Sequence, residues 1–458
     1  MMREPIFSLL PTPTPAPLAG KRLLVLGLGD TGLSLARFAA REGAAVRVAD
    51  TRADPPRRAA FDGEFHPGAF DASLLDRTDL LAISPGLPLD SDIVRAALER
   101  RIPVLGDVEL FAWHNRAPVL AVTGTNGKST VTALAAHLLR SAGLDAEAAG
   151  NIGPPVLDAL MRRATPPGAW VLELSSYQLE TTWSLVPRAA AMLNLSEDHL
   201  DRYAGLHEYG AAKARIFLGP GVQVLNRDDP RSLALARPGR GVVTFGTDVP
   251  RAAAHFGIAA GALVRGDEKI IDAASLPIHG MHNAANALAA CALAGVLGLS
   301  LRQMSLGLAS FKGLSHRLEL VATRQGVDWY DDSKGTNVGA TLAALRGLGR
   351  KTVLILGGEG KGQDFTPLAG PVRRHAAHVL LIGRDAPLIE RSLAGVASER
   401  CASLEAAVQR AAALARPGQA VLLSPACASF DMFRDYKHRG EVFAAAVRSL
   451  PPGEGSAP

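Results

Sequence analysis

Cysteine is scarce in this chain: Cys291, Cys401 and Cys427 are the only three in 458 residues. They are far apart, odd in number and outside any C-x-x-C pair. That excludes a disulfide framework and a structural zinc site and fits a reducing compartment. Lysine is scarce too, with nine lysines against 40 arginines among the 49 basic residues. A chain that writes its bulk positive charge as arginine has less reason to keep a lysine without a chemical need. Three of the nine, Lys128, Lys213 and Lys334, fall in the motifs below. The net charge of +5 is too small a surplus over this length to suggest a nucleic-acid partner. No apolar run reaches membrane-spanning length. The start, MMREPIFSLLPTPTPAPLAG, lacks the apolar core of a secretory signal. The expectation is a cytoplasmic protein. Proline alternation predicts a disordered tail over residues 1–18, and PPGEGSAP a flexible one over 451–458.

Hydrophobic residues make up 48% of the chain, enough for two or three cores. RLLVLGLG reads as a buried strand ending in a glycine turn, LSLARFAAREG as a helix, and AVRVAD, DLLAISPG and IPVLGD as further strands. A second strand–loop–helix block opens at APVLAVTGTNGKSTVTALAAHLLRSAG and runs on through AWVLELSS and RAAAMLNLS. A third follows FKGLSHRLEL, with strands KTVLILGG, HVLLIG and AVLLSPA. This alternation predicts an α/β protein of three domains, at residues 19–108, 109–313 and 314–450.

The second block carries the most specific stretch, AVTGTNGKST. A phosphate loop usually reads G-x-x-x-x-G-K-[ST]. Here the first glycine would fall at Val122, and the available one is Gly124, so the loop is short. The context is still that of a phosphate loop, with a buried strand before it and a helix after it. Gly124, Thr125, Asn126 and Gly127 would form the anion nest, Lys128 would reach the phosphates, and Ser129 or Thr130 would ligate Mg²⁺. Glu173, at the tip of WVLEL, suits a metal ligand in the crevice beside such a loop. In NLSEDHLDRY, Mg²⁺ would favour Glu197, Asp198 or Asp201 over His199, and a capped helix start explains the stretch equally well. Lys213 in HEYGAAKARIF reads as a surface helical lysine, since a protonated lysine cannot ligate a metal. VLGLGDTGLS with Asp50 is a G-x-G-x-x-G match that, alone, suggests NAD and hence an oxidoreductase or sensor. WYDDSKGTN and SPACASFDMF place polar clusters at strand ends, as a binding crevice would.

The order of these motifs resembles the Mur ligases across nearly the whole chain, in particular their glutamate-adding subgroup. That family's loop, G-T-x-G-K-[ST], is the short form seen here. The resemblance implies a Rossmann-like N-terminal domain for a UDP-linked substrate, a P-loop ATPase-like central domain and a Rossmann-like C-terminal amino-acid domain. It makes the NAD reading a decoy. By motif match, Thr31, Asp50, Thr51 and Ser84 would contact the UDP part and Asn151 the muramoyl moiety. Lys128 would bind phosphate, Ser129 and Glu173 one Mg²⁺, and His199 and Lys213 a second. Lys213 would be carbamylated by CO₂, which reverses the surface-lysine reading. Asn286, Arg317 and Asp332 match nucleotide-binding positions. Lys334, Thr336, Lys361 and Ser429 match residues that hold glutamate and the reacting phosphate. Tyr436 stands where the family often has phenylalanine. The implied reaction is ATP-dependent addition of D-glutamate to UDP-N-acetylmuramoyl-L-alanine through an acyl phosphate, by a monomer whose partners are small molecules. The alternatives are L-glutamate, or a sister ligase of the folylpolyglutamate synthase type.

Overall fold

Strands such as Arg22–Leu26 (RLLVL) and Val119–Thr123 (VLAVT) are apolar at consecutive positions, so both faces need cover. Parallel strands with helical crossovers supply it, and three sheets result. The computed structural model describes residues 5–199, 202–278 and 280–451. The first sheet runs Glu64–Pro67, Ala45–Asp50, Arg22–Leu26, Leu80–Ile83, Val104–Leu105, all parallel. Its first strand turns into the helix Asp30–Arg41 over the glycines of the G-x-G-x-x-G stretch. A Cβ on Gly32 would stand 1.8 Å from the Gly27 carbonyl oxygen, so only glycine lets the helix start this close.

The second sheet has nine strands. Its parallel part runs Ala146–Gly150, Ala169–Glu173, Val119–Thr123, Ala189–Met192, Val222–Asn226, Val242–Phe245. The strands Phe256–Ala259, Ala262–Arg265 and Glu268–Asp272 complete it. The third sheet runs Glu319–Arg324, Val327–Asp331, Ala420–Leu423, Thr352–Gly357, Ala376–Ile382, Ser398–Arg400, antiparallel only at its first pair. The predicted divisions at 108 and 313 fall between the sheets. Packing gathers the chain into two units. One holds residues up to 195, 202–270 and 287–307; the other holds 196–201, 271–286 and residues from 308 onward.

The disordered tail predicted for residues 1–18 does not hold for residues 5–18. Ile6–Leu9 is a short helix, and Phe7, Leu10 and Leu18 are buried. Phe7 and Leu10 join Leu24, Leu26 and Tyr209 in one core. The apolar IFSLL ahead of the prolines buries enough surface to offset the cost of ordering. Of the predicted C-terminal tail only Pro451 lies among the described residues.

Asp107 opens the helix Asp107–His114 and is almost wholly buried. Gln178 Nε2 donates to its Oδ2 at 3.3 Å, and Oδ1 has no partner among the described residues. Burial pushes its carboxyl up to about 6 from 3.8. The folded state therefore holds the proton more tightly than the unfolded chain. The stability this contributes is full below pH 3.8 and is lost as pH rises through about 6. Asp107→Asn should remove that slope and stabilise the first unit near neutral pH by about 2–3 kcal/mol. Urea unfolding of both proteins across this range checks it, and parallel pH profiles would contradict it.

Candidate active site

The stretch AVTGTNGKST folds as predicted in outline: strand Val119–Thr123, a short loop, then the helix Lys128–Ser141. Gly124 has φ 148°, and a Cβ there would approach Leu193 Cβ to 3.0 Å and the Asn194 nitrogen to 3.2 Å. The loop therefore lies tight against the end of the next strand. Lys128 Nζ donates to the carbonyl oxygens of Gly124 at 2.9 Å and Thr125 at 2.8 Å. Ser129 and Thr130 are buried in the first helical turn. The Thr125 and Asn126 N–H groups donate to the Asn194 backbone oxygen (2.9 Å) and to Asn194 Oδ1 (2.8 Å).

Lys213 is the clearest departure from reading the residues alone. It is not a surface lysine: it is 1% exposed on the helix Leu206–Ala214. Its Nζ donates to the Gly124 oxygen at 3.0 Å and lies 4.5 Å from the centre of the Tyr209 ring. The helix packs this face against the core that holds Tyr209 and Ala212, which local sequence did not reveal. One loop carbonyl thus receives both Lys128 and Lys213.

Glu173 ends its strand directly beside the loop strand, paired with Val122. It is 2% exposed. Asn151 Nδ2 donates to Glu173 Oε1 at 2.7 Å, while Oε2 is buried with no hydrogen-bond partner among the described residues. A buried carboxylate oxygen without a donor, on the strand paired with the one that leads to the loop and its buried Ser129, offers oxygen donors of the kind that suit a hard divalent cation. Ser129 and Glu173 therefore fit Mg²⁺. His199 has φ 56°, and its N–H donates to Asp198 Oδ1 at 3.0 Å. It lies in the segment grouped with the second unit, whereas Lys213 belongs to the first. Asp201 is outside the described residues.

In the first sheet, Asp50 turns back onto its own loop. Its Oδ2 accepts the Leu28 N–H at 2.7 Å, and Arg52 forks onto both oxygens at 2.9 and 2.8 Å. The Arg52 guanidinium holds the carboxyl down at about 2. Ser84 Oγ donates to the Gly27 oxygen at 2.9 Å, which ties a second strand end to the glycine turn. Thr31 sits in the first turn of the helix Asp30–Arg41, and Thr51 is exposed beside Asp50. These residues lie at or just past the carboxyl ends of neighbouring parallel strands.

The second unit brings three loops together at the carboxyl ends of parallel strands, the usual place for a ligand in such sheets. Asp332 and Lys334 follow Val327–Asp331, Lys361 follows Thr352–Gly357, and Ser429 follows Ala420–Leu423. Asp332 accepts from Ser424 Oγ at 2.7 Å and from the Leu318 N–H at 3.3 Å. Burial pushes its carboxyl up to about 7. Lys334 Nζ stands 3.9 Å from the centre of the Tyr436 ring. Lys361 has φ 51°, and its Nζ lies 5.7 Å from the Phe430 ring. Thr336 N–H donates to the Lys334 oxygen at 2.8 Å. Asn286 Nδ2 donates to Asn283 Oδ1 at 3.1 Å. His316 Nδ1, beside Arg317, donates to Asp331 Oδ2 at 2.7 Å, and the His316 backbone oxygen accepts the Lys334 N–H at 3.1 Å.

Two residues that sequence reading missed organise these loops. Asn194 binds the loop at Thr125 and Asn126. Arg439, 1% exposed, donates to Ser333 Oγ and O at 2.9 and 2.7 Å and to the oxygens of Cys427 (3.1 Å) and Ala428 (3.3 Å).

Family comparison matches this geometry along the chain. The Mur ligase MurD-like N-terminal domain covers residues 21–106, the Mur ligase middle domain 122–294, and the Mur ligase glutamate ligase domain 316–427. The chain belongs to the Mur ligase family. Among its Mur ligase relatives, the UDP-N-acetylmuramoylalanine–D-glutamate ligase of Nitrosospira multiformis is 52% identical over 455 residues, 94% of this chain and 96% of that protein. That of Thiobacillus denitrificans is 54% identical over 461 residues, 94% and 97%. Among solved Mur ligases, the UDP-N-acetylmuramate–alanine ligase of Thermotoga maritima superposes with TM-score 0.61 at 19% identity, over 94% of this chain and 100% of that one. The expected α/β fold, Rossmann-like at both ends with an ATPase-like middle, is the Mur ligase fold. No helix among the described residues is long and apolar enough to cross a membrane.

Proposed function

We propose that this Mur ligase joins D-glutamate to UDP-N-acetylmuramoyl-L-alanine at the expense of ATP. The observation that carries the reading is half-identity over nearly full length to relatives with that name. The loop geometry is consistent with it. An amide does not form from a carboxylate and an amine in neutral water, so the acid must be activated. The alanyl carboxylate attacks the γ-phosphorus of ATP, ADP leaves, and an acyl phosphate forms. The glutamate amine then attacks the acyl carbon, loses a proton, and expels phosphate.

The chain's residues position and neutralise. Lys128 and the amides that open its helix hold the triphosphate. Thr31, Asp50, Thr51 and Ser84 frame the UDP end, and Asn151 lies where the muramoyl moiety would run. Asn286, Arg317 and Asp332 take the nucleotide. Lys334, Thr336, Lys361, Ser429 and Tyr436 take glutamate and the transferred phosphate. Mg²⁺, when bound by Ser129 and Glu173, supplies charge that screens carboxylate from phosphate. His199 and Lys213 are assigned to a second Mg²⁺, with Lys213 as its carbamate. One structural fact supports the carbamate: Lys128 and Lys213 share the Gly124 oxygen. Carbamylation would replace one of two neighbouring positive charges by a negative one. ¹³C-bicarbonate should give a carbamate signal in wild type and none in Lys213→Ala; a spectrum without it would remove this assignment.

We also infer a cytoplasmic monomer, for which a single sedimenting species of one-chain mass is expected. The decisive assay is phosphate release from ATP with UDP-N-acetylmuramoyl-L-alanine plus D-glutamate, L-glutamate, L-alanine or diaminopimelate in turn. Release with D-glutamate alone is expected. Release with L-glutamate alone would keep the mechanism and change the substrate. Silence with all four would favour a sister ligase.

A further inference from the structure

Asn194 follows the strand Ala189–Met192, which is hydrogen-bonded beside the strand that feeds the ATP loop. Its backbone oxygen accepts the Thr125 N–H at 2.9 Å. Its side-chain Oδ1 accepts the Asn126 N–H at 2.8 Å, and its Nδ2 donates to the Asn126 oxygen at 3.0 Å. One residue thus engages three polar groups of two consecutive loop residues, the nearer of them 68 positions away in sequence. The side-chain pairing needs a donor and an acceptor side by side in one plane, which only a carboxamide supplies. Glutamine carries the same group one methylene further out, which displaces it from this pairing.

The loop has a use for such a clamp. Gly124 and Gly127 have φ of 148° and 83°, conformations that glycine alone visits freely, and glycine also leaves them readily. A phosphate cradle works best when it does not have to reorganise as charge moves. The clamp also divides labour within the loop. The Thr125 and Asn126 N–H groups hold its shape, which leaves anion contact to the amides that lead into the helix.

We propose that Asn194 is a positioning residue for catalysis: its carboxamide clamps Asn126 and presets the phosphate loop for ATP. This rests on the reading of residues 124–130 as the ATP loop. The test compares wild type with Asn194→Ala and Asn194→Asp. The aspartate keeps an acceptor for the Asn126 N–H but sets a second oxygen against the Asn126 carbonyl. It is isosteric, so it carries the comparison should the alanine variant not fold. Affinities for a non-hydrolysable ATP analogue with Mg²⁺ and for UDP-N-acetylmuramoyl-L-alanine are measured by calorimetry, and amide hydrogen exchange is followed at Thr125 and Asn126. The expected result is a loss of at least about tenfold for the ATP analogue, a change under about twofold for the UDP precursor, and exchange at least about tenfold faster at the two amides. Equal losses for both ligands would reduce Asn194 to a general structural part and overturn the proposal. Faster exchange with unchanged ATP-analogue affinity, or unchanged exchange, would overturn it too. Failure of the loop reading itself looks different: wild type would bind the UDP precursor and not the ATP analogue.

Discussion

Lys128→Ala should lower turnover by about 10²-fold or more while the affinity for the UDP precursor stays within about twofold. Lys128 stands in the first turn of the helix that follows the loop, and its Nζ folds over the loop to reach two of its carbonyl oxygens at 2.9 and 2.8 Å. The ammonium therefore already lies over the loop, and an anionic phosphate is a stronger acceptor than the two carbonyl oxygens it meets there. Negative charge shifts between the bridging and transferred oxygens as ADP leaves, so a fixed cation there gains more in the transition state than in the ground state. Turnover should consequently fall further than the KM for ATP rises. Lys128→Arg keeps the charge but replaces a compact donor with a planar fork, and should fall between the two. Steady-state kinetics with saturating D-glutamate separates these cases. Near-normal turnover in Lys128→Ala would mean that residues 124–130 do not cradle the reacting phosphate.

Much of this was legible because its signals are local. The glycine turns at Gly27–Gly32 and Gly124–Gly127, the apolar strands before them and the helices after them are short-range patterns, and chain order assembled them into three sheets. Other features depend on distant parts of the chain. Lys213 lies on a helix whose sequence, LHEYGAAKA, has no clear polar side, and its burial is decided by what packs against it. Phe7 and Leu10 belong to a core completed by Tyr203 and Tyr209, almost two hundred positions on, so proline alternation misled over residues 5–18. Asn194 reads as ordinary loop composition until its partner 68 residues earlier is known. Arg439 is one arginine among 40, in a chain where arginine is the routine surface cation.

Arg439 also carries the largest expected loss of stability. Its guanidinium is enclosed on the helix Tyr436–Ser449 and serves four acceptors: Ser333 Oγ, and the backbone oxygens of Ser333, Cys427 and Ala428. Burial lowers its proton affinity to about 10, which still leaves it charged at neutral pH. The acceptors come from two different loops. One carries Lys334 directly after Ser333, and the other carries Ser429 directly after Ala428. A single planar donor thereby bridges the two segments assigned to glutamate and phosphate, beside the Ser424–Asp332 and Ala426–Gly335 hydrogen bonds. Arg439→Met fills much of the volume but leaves Ser333 Oγ and the Ser333 and Cys427 backbone oxygens without this donor, while the Ala428 oxygen keeps the Glu359 N–H at 3.0 Å, and it should destabilise the second unit by about 3–5 kcal/mol. Arg439→Lys keeps a charge but cannot fork across two loops, and should recover only part of the loss. The two units need not unfold together, so the measurement is a calorimetric scan in which one transition moves and the other stays. In protein that remains folded, the KM for D-glutamate should rise by about tenfold or more while the KM for the UDP precursor holds, because the first sheet does not depend on this clamp. A melting profile and a glutamate KM both unchanged in Arg439→Met would mean that the loops hold their spacing without it.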